Sequence, residues 1–175
     1  MVRCALTATL LIVTGLLAGP VMAAGRHADP ELESILPTTL GGVALTVESQ
    51  TGPDLTTRSA AFDAFLAELG RTRADFTLAS AYSQGDLPAE IGAWRVKGAD
   101  PASMLPAFQV AVQQSSAVPL TTAEETAAGR DILRIGDPGQ MARGQLYAYA
   151  RGDMVIFVQT TRPQLAEEAL AKLPP

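Results

Sequence analysis

Apolar and polar residues alternate along several short stretches of the chain, a pattern typical of strands with one buried face. The alternation is clear in residues 43–48, and it recurs in residues 75–82 and 91–97 on either side of a turn. We expect these last two stretches to form a hairpin. Residues 154–159 are apolar on both faces, which predicts a central strand. Further strands are expected at residues 132–135 and 145–150.

Apolar residues recur at helical spacing in three other stretches. Residues 62–69 follow Ser59, a plausible N-cap, and a second helix is expected to follow Asp100 and Pro101. Pro106 lies in the second turn of that helix, so we expect either a kink or a helix that begins near this proline. Pro163 opens the final helix.

These elements predict an α+β fold with an antiparallel sheet of about six strands and helices packed on one face. Residues 121–128 are polar and loop-like, so no strand is expected there. Residues 42–48 and 129–135 share a pattern, and a hairpin and a helix follow each. This order is consistent with two hairpin-plus-helix repeats, although an α+β chain can show such a similarity without being a repeat.

The N-terminal residues have the pattern of a secretory signal peptide. Arg3 precedes an uncharged apolar run at residues 6–18, and small residues allow cleavage after Ala23. The alternative is an uncleaved membrane anchor, but Gly19 and Pro20 interrupt the run before it reaches the length of a spanning helix. We therefore expect an exported protein, secreted or held in the periplasm or cell envelope, with no stable membrane span after cleavage. The expected divisions are a signal peptide at 1–23, a flexible linker at 24–37 and one α+β domain at 38–175.

The chain has one cysteine and one histidine, too few to predict a disulfide or a metal site. Cys4 is the single cysteine, and it would be removed with the signal peptide, so no disulfide and no thiolate nucleophile are expected. His27 is the single histidine, and it lies near acidic residues in the expected linker. A metal site needs a framework that fixes its ligands. We therefore expect solvated linker there, with no metal site and no cofactor.

Composition narrows the class of partner. The chain of 175 residues carries 13 Lys and Arg against 18 Asp and Glu, a net charge of −5, which argues against a nucleic-acid binder. Hydrophobic residues make up 47% of the chain, enough for a packed core. An unknown small molecule or protein outside the cytoplasm is the expected partner.

Strand parity predicts a basic and aromatic face on the sheet. If Leu146, Ala148 and Trp94 point toward the helices, then their neighbours point away from them. Such a face fits an anionic or sugar-like ligand or a protein partner, because Tyr and Arg are enriched at interfaces. The alternative is an ordinary solvent-facing sheet. The candidate binding residues are Arg95, Arg134, Arg143, Tyr147, Tyr149 and Arg151.

A cavity between sheet and helices is a second candidate for ligand binding, although the residues that would line it are usually plain core. They are Phe62, Phe65, Leu66, Trp94, Phe108 and Val112.

Catalysis has little support in the sequence. There is no Gly-x-Ser-x-Gly motif, and a Ser-His-acid arrangement would require His27. We therefore expect a non-catalytic domain and assign no catalytic residue. The alternative is a small cofactor-free hydrolase with paired carboxylates, for which Asp75 and Glu90 are open candidates.

Overall fold

The computed structural model describes residues 27–56, 59–85, 87–136 and 144–175. This part of the chain has the predicted α+β architecture. Its strands are β1 (Thr39–Leu40), β2 (Val43–Ala44), β3 (Thr46–Thr51), β4 (Phe76–Tyr82), β5 (Ala89–Val96), β6 (Thr122–Ala127), β7 (Arg130–Ile135), β8 (Gln145–Arg151) and β9 (Met154–Thr160).

Seven of these strands form one antiparallel sheet in the order β3-β4-β5-β9-β8-β7-β6, and β1 pairs separately with β2. The predicted antiparallel sheet is therefore confirmed. The strand beyond the expected six is β6, which lies in the stretch expected to be a loop. It pairs with β7 along its whole length. Between them, Ala128 and Gly129 have φ values of 51° and 75°, the positive values that a tight two-residue hairpin turn needs.

Four helices occur in the described chain, and the sequence predicted where three of them begin. Ser59 caps one helix, its Oγ accepting a hydrogen bond from the Phe62 amide at 3.4 Å. Asp100 caps another in the same way, through the Ala102 amide at 3.2 Å. The helices are α1 (Pro30–Ser34), α2 (Ala60–Glu68), α3 (Pro101–Ser115) and α4 (Pro163–Lys172), and single 3₁₀ turns occur at Gly52–Asp54 and Arg73–Asp75.

Pro106 does not divide α3, which runs continuously from Pro101 to Ser115. A proline inside a helix frees the carbonyl group four residues earlier, here that of Ala102. Both Pro106 and Ala102 are exposed. Water can therefore reach the freed carbonyl, and the helix continues past the proline.

The helices cover both faces of the sheet, which corrects the prediction that they pack on one face. The face that carries Trp94 and Phe157 packs against α2 and α3. The opposite face, which carries Tyr147 and Ile156, packs against α1 and α4. As its apolar sequence predicted, β9 is central, and all its residues are buried.

The two halves of the sheet have matching strand orders. β3 is followed by the hairpin β4-β5 and then α3, whereas β7 is followed by the hairpin β8-β9 and then α4. The halves join where β5 pairs with β9. However, α3 and α4 lie on opposite faces. The similarity between the halves therefore concerns strand order and does not extend to helix packing.

Residues 27–37 belong to the segment expected to be a flexible linker, and the structure packs them against the sheet. Asp29 caps α1 by accepting a hydrogen bond from the Leu32 amide at 2.9 Å. Leu32 and Leu36 are 0% and 5% exposed. Because apolar side chains from this segment enter the core, packed structure begins before the expected boundary at residue 38. The predicted signal peptide, residues 1–23, lies outside the described residues.

None of the helices in the described ranges is long and apolar enough to cross a membrane. With Cys4 as its single cysteine, the chain has no intramolecular disulfide.

Candidate functional site

The predicted arginine and tyrosine residues share one side of the sheet, but that side is not an open surface. Tyr147 and Tyr149 are only 8% and 4% exposed. They belong to the same core cluster as Leu165 and Ala169 of α4. Burial raises the pKa of both tyrosine hydroxyls. The prediction that these two tyrosines are exposed is therefore wrong, because α4 covers their side of the sheet.

Two of the predicted arginines make ion pairs within the chain. The Nη1 atom of Arg95 lies 2.7 Å from a carboxylate oxygen of Asp29, next to α1. The Nε atom of Arg134 lies 2.6 Å from a carboxylate oxygen of Glu125 on β6. Both arginine side chains are mostly buried, at 21% and 17% exposed. They hold neighbouring elements onto the sheet, so their charges are already compensated.

The remaining predicted residues do not complete a binding surface. Arg151 is exposed at the end of β8. It lies opposite Met154 of β9, and Arg95 lies opposite the same methionine on the other side. Arg143 lies outside the described residues. Among the predicted binding residues that the structure describes, the two tyrosines are therefore buried, two arginines are paired within the chain, and Arg151 is exposed.

Tyr149 contributes to a contact that holds the C-terminus. Its hydroxyl donates a hydrogen bond to the Pro174 carbonyl at 2.7 Å. Arg130 donates to the same carbonyl and to the Tyr149 hydroxyl, both at 2.9 Å. The Arg130 guanidinium also lies 4.8 Å from the centroid of the Tyr149 ring. Tyr149 therefore has a structural role, because it stabilises the C-terminus through this contact.

The second predicted site, a cavity between sheet and helices, is filled by aromatic packing. Trp94 is 0% exposed, and its ring centroid lies between 5.0 and 6.0 Å from those of the surrounding phenylalanines. Edge-to-face contacts of this kind add to the stability that burial supplies. The phenylalanines are Phe62, Phe65, Phe76, Phe108 and Phe157. The predicted lining residues therefore contribute to a close-packed core.

Three polar side chains instead form a row across β4, β5 and β9. Tyr82 lies opposite Glu90 in the register of β4 and β5, and Glu90 lies opposite Gln159 in the register of β5 and β9. Directly opposed residues point to the same side of a sheet, with Cβ atoms about 4.5–5.5 Å apart. Strand alternation from Trp94 and Phe157 places them on the face covered by α2 and α3. We call Tyr82, Glu90 and Gln159 the polar row.

Gln159 is the deepest member of the polar row. It is 0% exposed, and neither its Nε2 nor its Oε1 has a hydrogen-bond partner. Leaving a buried polar group unpaired costs about 1–3 kcal/mol. Most buried side-chain polar atoms in native proteins are paired, so both amide atoms of Gln159 retain hydrogen-bonding capacity that the described chain does not use.

Glu90 lies next to this amide and is half-buried. Burial raises the pKa of its carboxyl group, and no charged side chain contributes to that shift. A carboxyl group in such a place holds its proton to higher pH, so it can donate a hydrogen bond when neutral and accept hydrogen bonds when ionised. Perturbed carboxyl groups of this kind are concentrated at functional sites.

The outer end of the polar row is more open. Tyr82 and its neighbour Glu48 on β3 are both half-buried. Burial and the Glu48 carboxylate together raise the pKa of the Tyr82 hydroxyl. Exposure therefore falls from Tyr82 inward to Gln159, which gives the row an accessible end and a buried end.

Asp75 does not pair with Glu90 as the hydrolase alternative would require. Its carboxylate accepts hydrogen bonds from the backbone amide and the hydroxyl of Thr72, both at 3.0 Å. These hydrogen bonds lower the pKa of Asp75, with the backbone amide making the largest contribution. Asp75 thus stabilises the Arg73–Asp75 turn.

In the part of the chain that the structure describes, no group of three or more His, Cys, Asp or Glu side chains could hold a metal ion. His27 Nδ1 lies 2.8 Å from a Glu33 carboxylate oxygen, with the histidine side chain 59% exposed.

The sequence contained a signal for the polar row that strand parity could have revealed. Glu90 precedes Trp94 by four residues and Gln159 follows Phe157 by two, so both polar residues are in phase with core positions. Glu90 was predicted only as an open candidate for a catalytic carboxylate, and Gln159 was not predicted. Their proximity depends on the pairing of β5 with β9, which parity alone does not predict.

No known protein-family model, curated protein or solved structure matches the chain.

Proposed function

We propose that this protein is an exported, non-catalytic domain that binds a small polar molecule at the polar row. The observation that carries the proposal is Gln159, which is fully buried with both amide atoms unpartnered beside the half-buried Glu90. A ligand that bonds to both side chains would recover hydrogen bonds that the folded chain leaves unmade.

Energetics support a binding role over a purely structural one. An apolar residue at position 159 would avoid the cost of about 1–3 kcal/mol that an unpaired buried polar group carries. A glutamate at position 90 adds a further cost whenever it must ionise in a buried place. Binding sites commonly retain groups that lower the stability of the unliganded protein, because those groups are complementary to the ligand.

A matched pair of variants tests the role of Gln159. Methionine has a length similar to that of glutamine, so Gln159→Met removes the amide while filling the same space. Gln164→Met makes the same change at an exposed position of α4. Native mass spectrometry of each protein, purified from its exported fraction, would then show whether a small molecule remains bound.

The expected result is a bound mass on the natural chain and on Gln164→Met that is absent from Gln159→Met. With the ligand removed from all three proteins, Gln159→Met should also unfold at a higher temperature than the natural chain by up to several degrees, because the unpaired amide is gone. A raised melting temperature together with lost ligand would exclude unfolding as the cause. Equal ligand occupancy in all three proteins would contradict the proposal.

Paired-carboxylate hydrolysis remains the second candidate, and Glu90 is the observation that favours it. A carboxyl group whose pKa burial raises can serve as a general acid, and Glu48 lies on the same side of the sheet as a possible base. The same mass measurement distinguishes the two candidates. A binding domain returns its ligand unchanged, whereas a hydrolase converts it, and Glu90→Gln would abolish that conversion.

Export is the other part of the proposal, and the support for it is the leader pattern of residues 1–23. We expect the protein from the exported fraction to begin near Ala24. Its intact mass provides the test, since a cytosolic protein that retained these residues would refute export.

A further inference from the structure

Building on the proposed binding role, we infer that the polar row selects a ligand that carries a positively charged ammonium group. The juxtaposition that carries this inference is a fully buried amide directly opposite a half-buried carboxyl group, and within the described ranges the amide is unpartnered and the carboxyl group has no basic partner.

In the part of the chain that the structure describes, the helices and strands around the polar row supply acceptors and negative charge on its face but no cation. Neither α3 nor β9 contains a charged residue. The charged residues of α2 are both acidic. On β3 the charged residue is Glu48, and β4 has none. An anionic ligand would therefore bring a second negative charge to Glu90 without any base in these elements to compensate it.

The basic side chains of the central strands are directed elsewhere. Arg95, which shares β5 with Glu90, is in register with Met154 on the opposite face and is paired with Asp29. Arg151, at the end of β8, lies opposite the same methionine. Both arginines therefore lie on the face of the sheet opposite the polar row.

An ammonium group matches what the polar row offers. It has three N–H donors and no acceptor. The ionised Glu90 carboxylate and the Gln159 Oε1, which lie opposite each other, can accept two of these hydrogen bonds. The Glu90 carboxyl group also gains the opposite charge that it lacks in the unliganded protein. A calcium or magnesium ion fits less well, since these ions take six or more oxygen ligands.

Three probes of similar size and different charge test the inference: propylammonium, propionamide and propionate. Each is titrated into the natural chain, Glu90→Gln and Glu124→Gln, and binding is followed by calorimetry and by NMR chemical shifts. Glu124 is an exposed glutamate of β6, so its variant makes the same change in net charge away from the polar row. General attraction of a cation to the acidic chain would affect both variants equally.

We expect propylammonium to bind the natural chain and Glu124→Gln alike, and to bind Glu90→Gln about 10–100-fold more weakly, the range for a lost hydrogen bond to a charged group. Propionamide and propionate should bind at least tenfold more weakly than propylammonium to the natural chain.

Three results would overturn the inference. The first is that propionamide or propionate binds as tightly as propylammonium, and the second is that Glu90→Gln binds propylammonium unchanged. The third is that none of the probes binds. The mass measurement on Gln159→Met remains separate from these results. If one of the three results were found and Gln159→Met still lost its ligand, the proposed binding role would stand and only the ammonium ligand would be ruled out.

Discussion

Replacing Glu90 with glutamine should stabilise the protein, and the gain should grow with pH. The unfolded chain exposes this carboxyl group to water, where its pKa has the ordinary value of 4.5. In the folded protein, burial raises the pKa. Between these two pKa values the folded protein keeps the proton and the unfolded chain releases it. The contribution of Glu90 to folding is therefore present below pH 4.5 and is lost as the pH rises through the folded-state pKa.

For one titrating group, the free energy of unfolding falls by at most about 1.4 kcal/mol per pH unit. Glutamine resembles the neutral carboxyl group in size and hydrogen bonding, and it does not titrate. The free energy of unfolding of Glu90→Gln should therefore be close to that of the natural chain near pH 4. By pH 6.5 the variant should be the more stable protein, by no more than about 2.7 kcal/mol, because the loss stops once the folded-state pKa is reached.

Urea unfolding at half-unit intervals from pH 4 to pH 8 provides the assay. Trp94 is the single tryptophan and is 0% exposed, so its fluorescence emission should shift to longer wavelength when the chain unfolds. Glu124→Gln is the control, with an expected effect within about 0.5 kcal/mol at every pH. A difference between Glu90→Gln and the natural chain that did not vary with pH would refute the reasoning, and so would a natural chain that was more stable at pH 7.

Two further substitutions test the packing around the site and the C-terminal contact. A Cβ atom on Gly92 would overlap the Phe157 ring, 2.7 Å from Cε1, so Gly92→Ala should lower the free energy of unfolding by about 1–3 kcal/mol in urea titrations. Gly85→Ala, where the nearest atom is 3.6 Å away, should change it by less than about 1 kcal/mol, and equal effects would contradict the predicted clash. Arg130→Met removes the donor to the Tyr149 hydroxyl and should cost about 1–3 kcal/mol. Pro174 and Pro175 have no amide hydrogen, so the Leu173 amide, which donates to the Ala169 carbonyl, is the probe, and its hydrogen exchange should accelerate. Unchanged exchange at Leu173 would show that the contact does not hold the C-terminus.

Local patterns in the sequence predicted most of the elements and the side of the sheet to which many side chains point. Ser59 and Asp100 cap helices where expected, and Leu146 and Trp94 face the same helices. The strand β6 was missed because its residues are polar. Pairing with β7 stabilises it as a strand, and that pairing is not visible in the hydrophobic pattern of β6 itself.

The candidate site was harder to predict because it depends on contacts between distant parts of the chain. Tyr147 and Tyr149 lie on the predicted side of the sheet, yet α4 covers that side. Likewise Glu90 and Gln159 lie in different halves of the chain and become neighbours only through the pairing of β5 with β9. Parity predicts which residues share a side, but it does not predict which side a later helix will cover.

By itself, the sequence determined three of the four described helices, most of the strands and the alternation of their side chains, since these depend on interactions between residues a few positions apart. The tertiary structure alone decided the strand order, the placement of helices on both faces and the position of Glu90 opposite Gln159. These features arise from competition among many possible long-range contacts, and the favoured set is the one that buries both faces of the central strands.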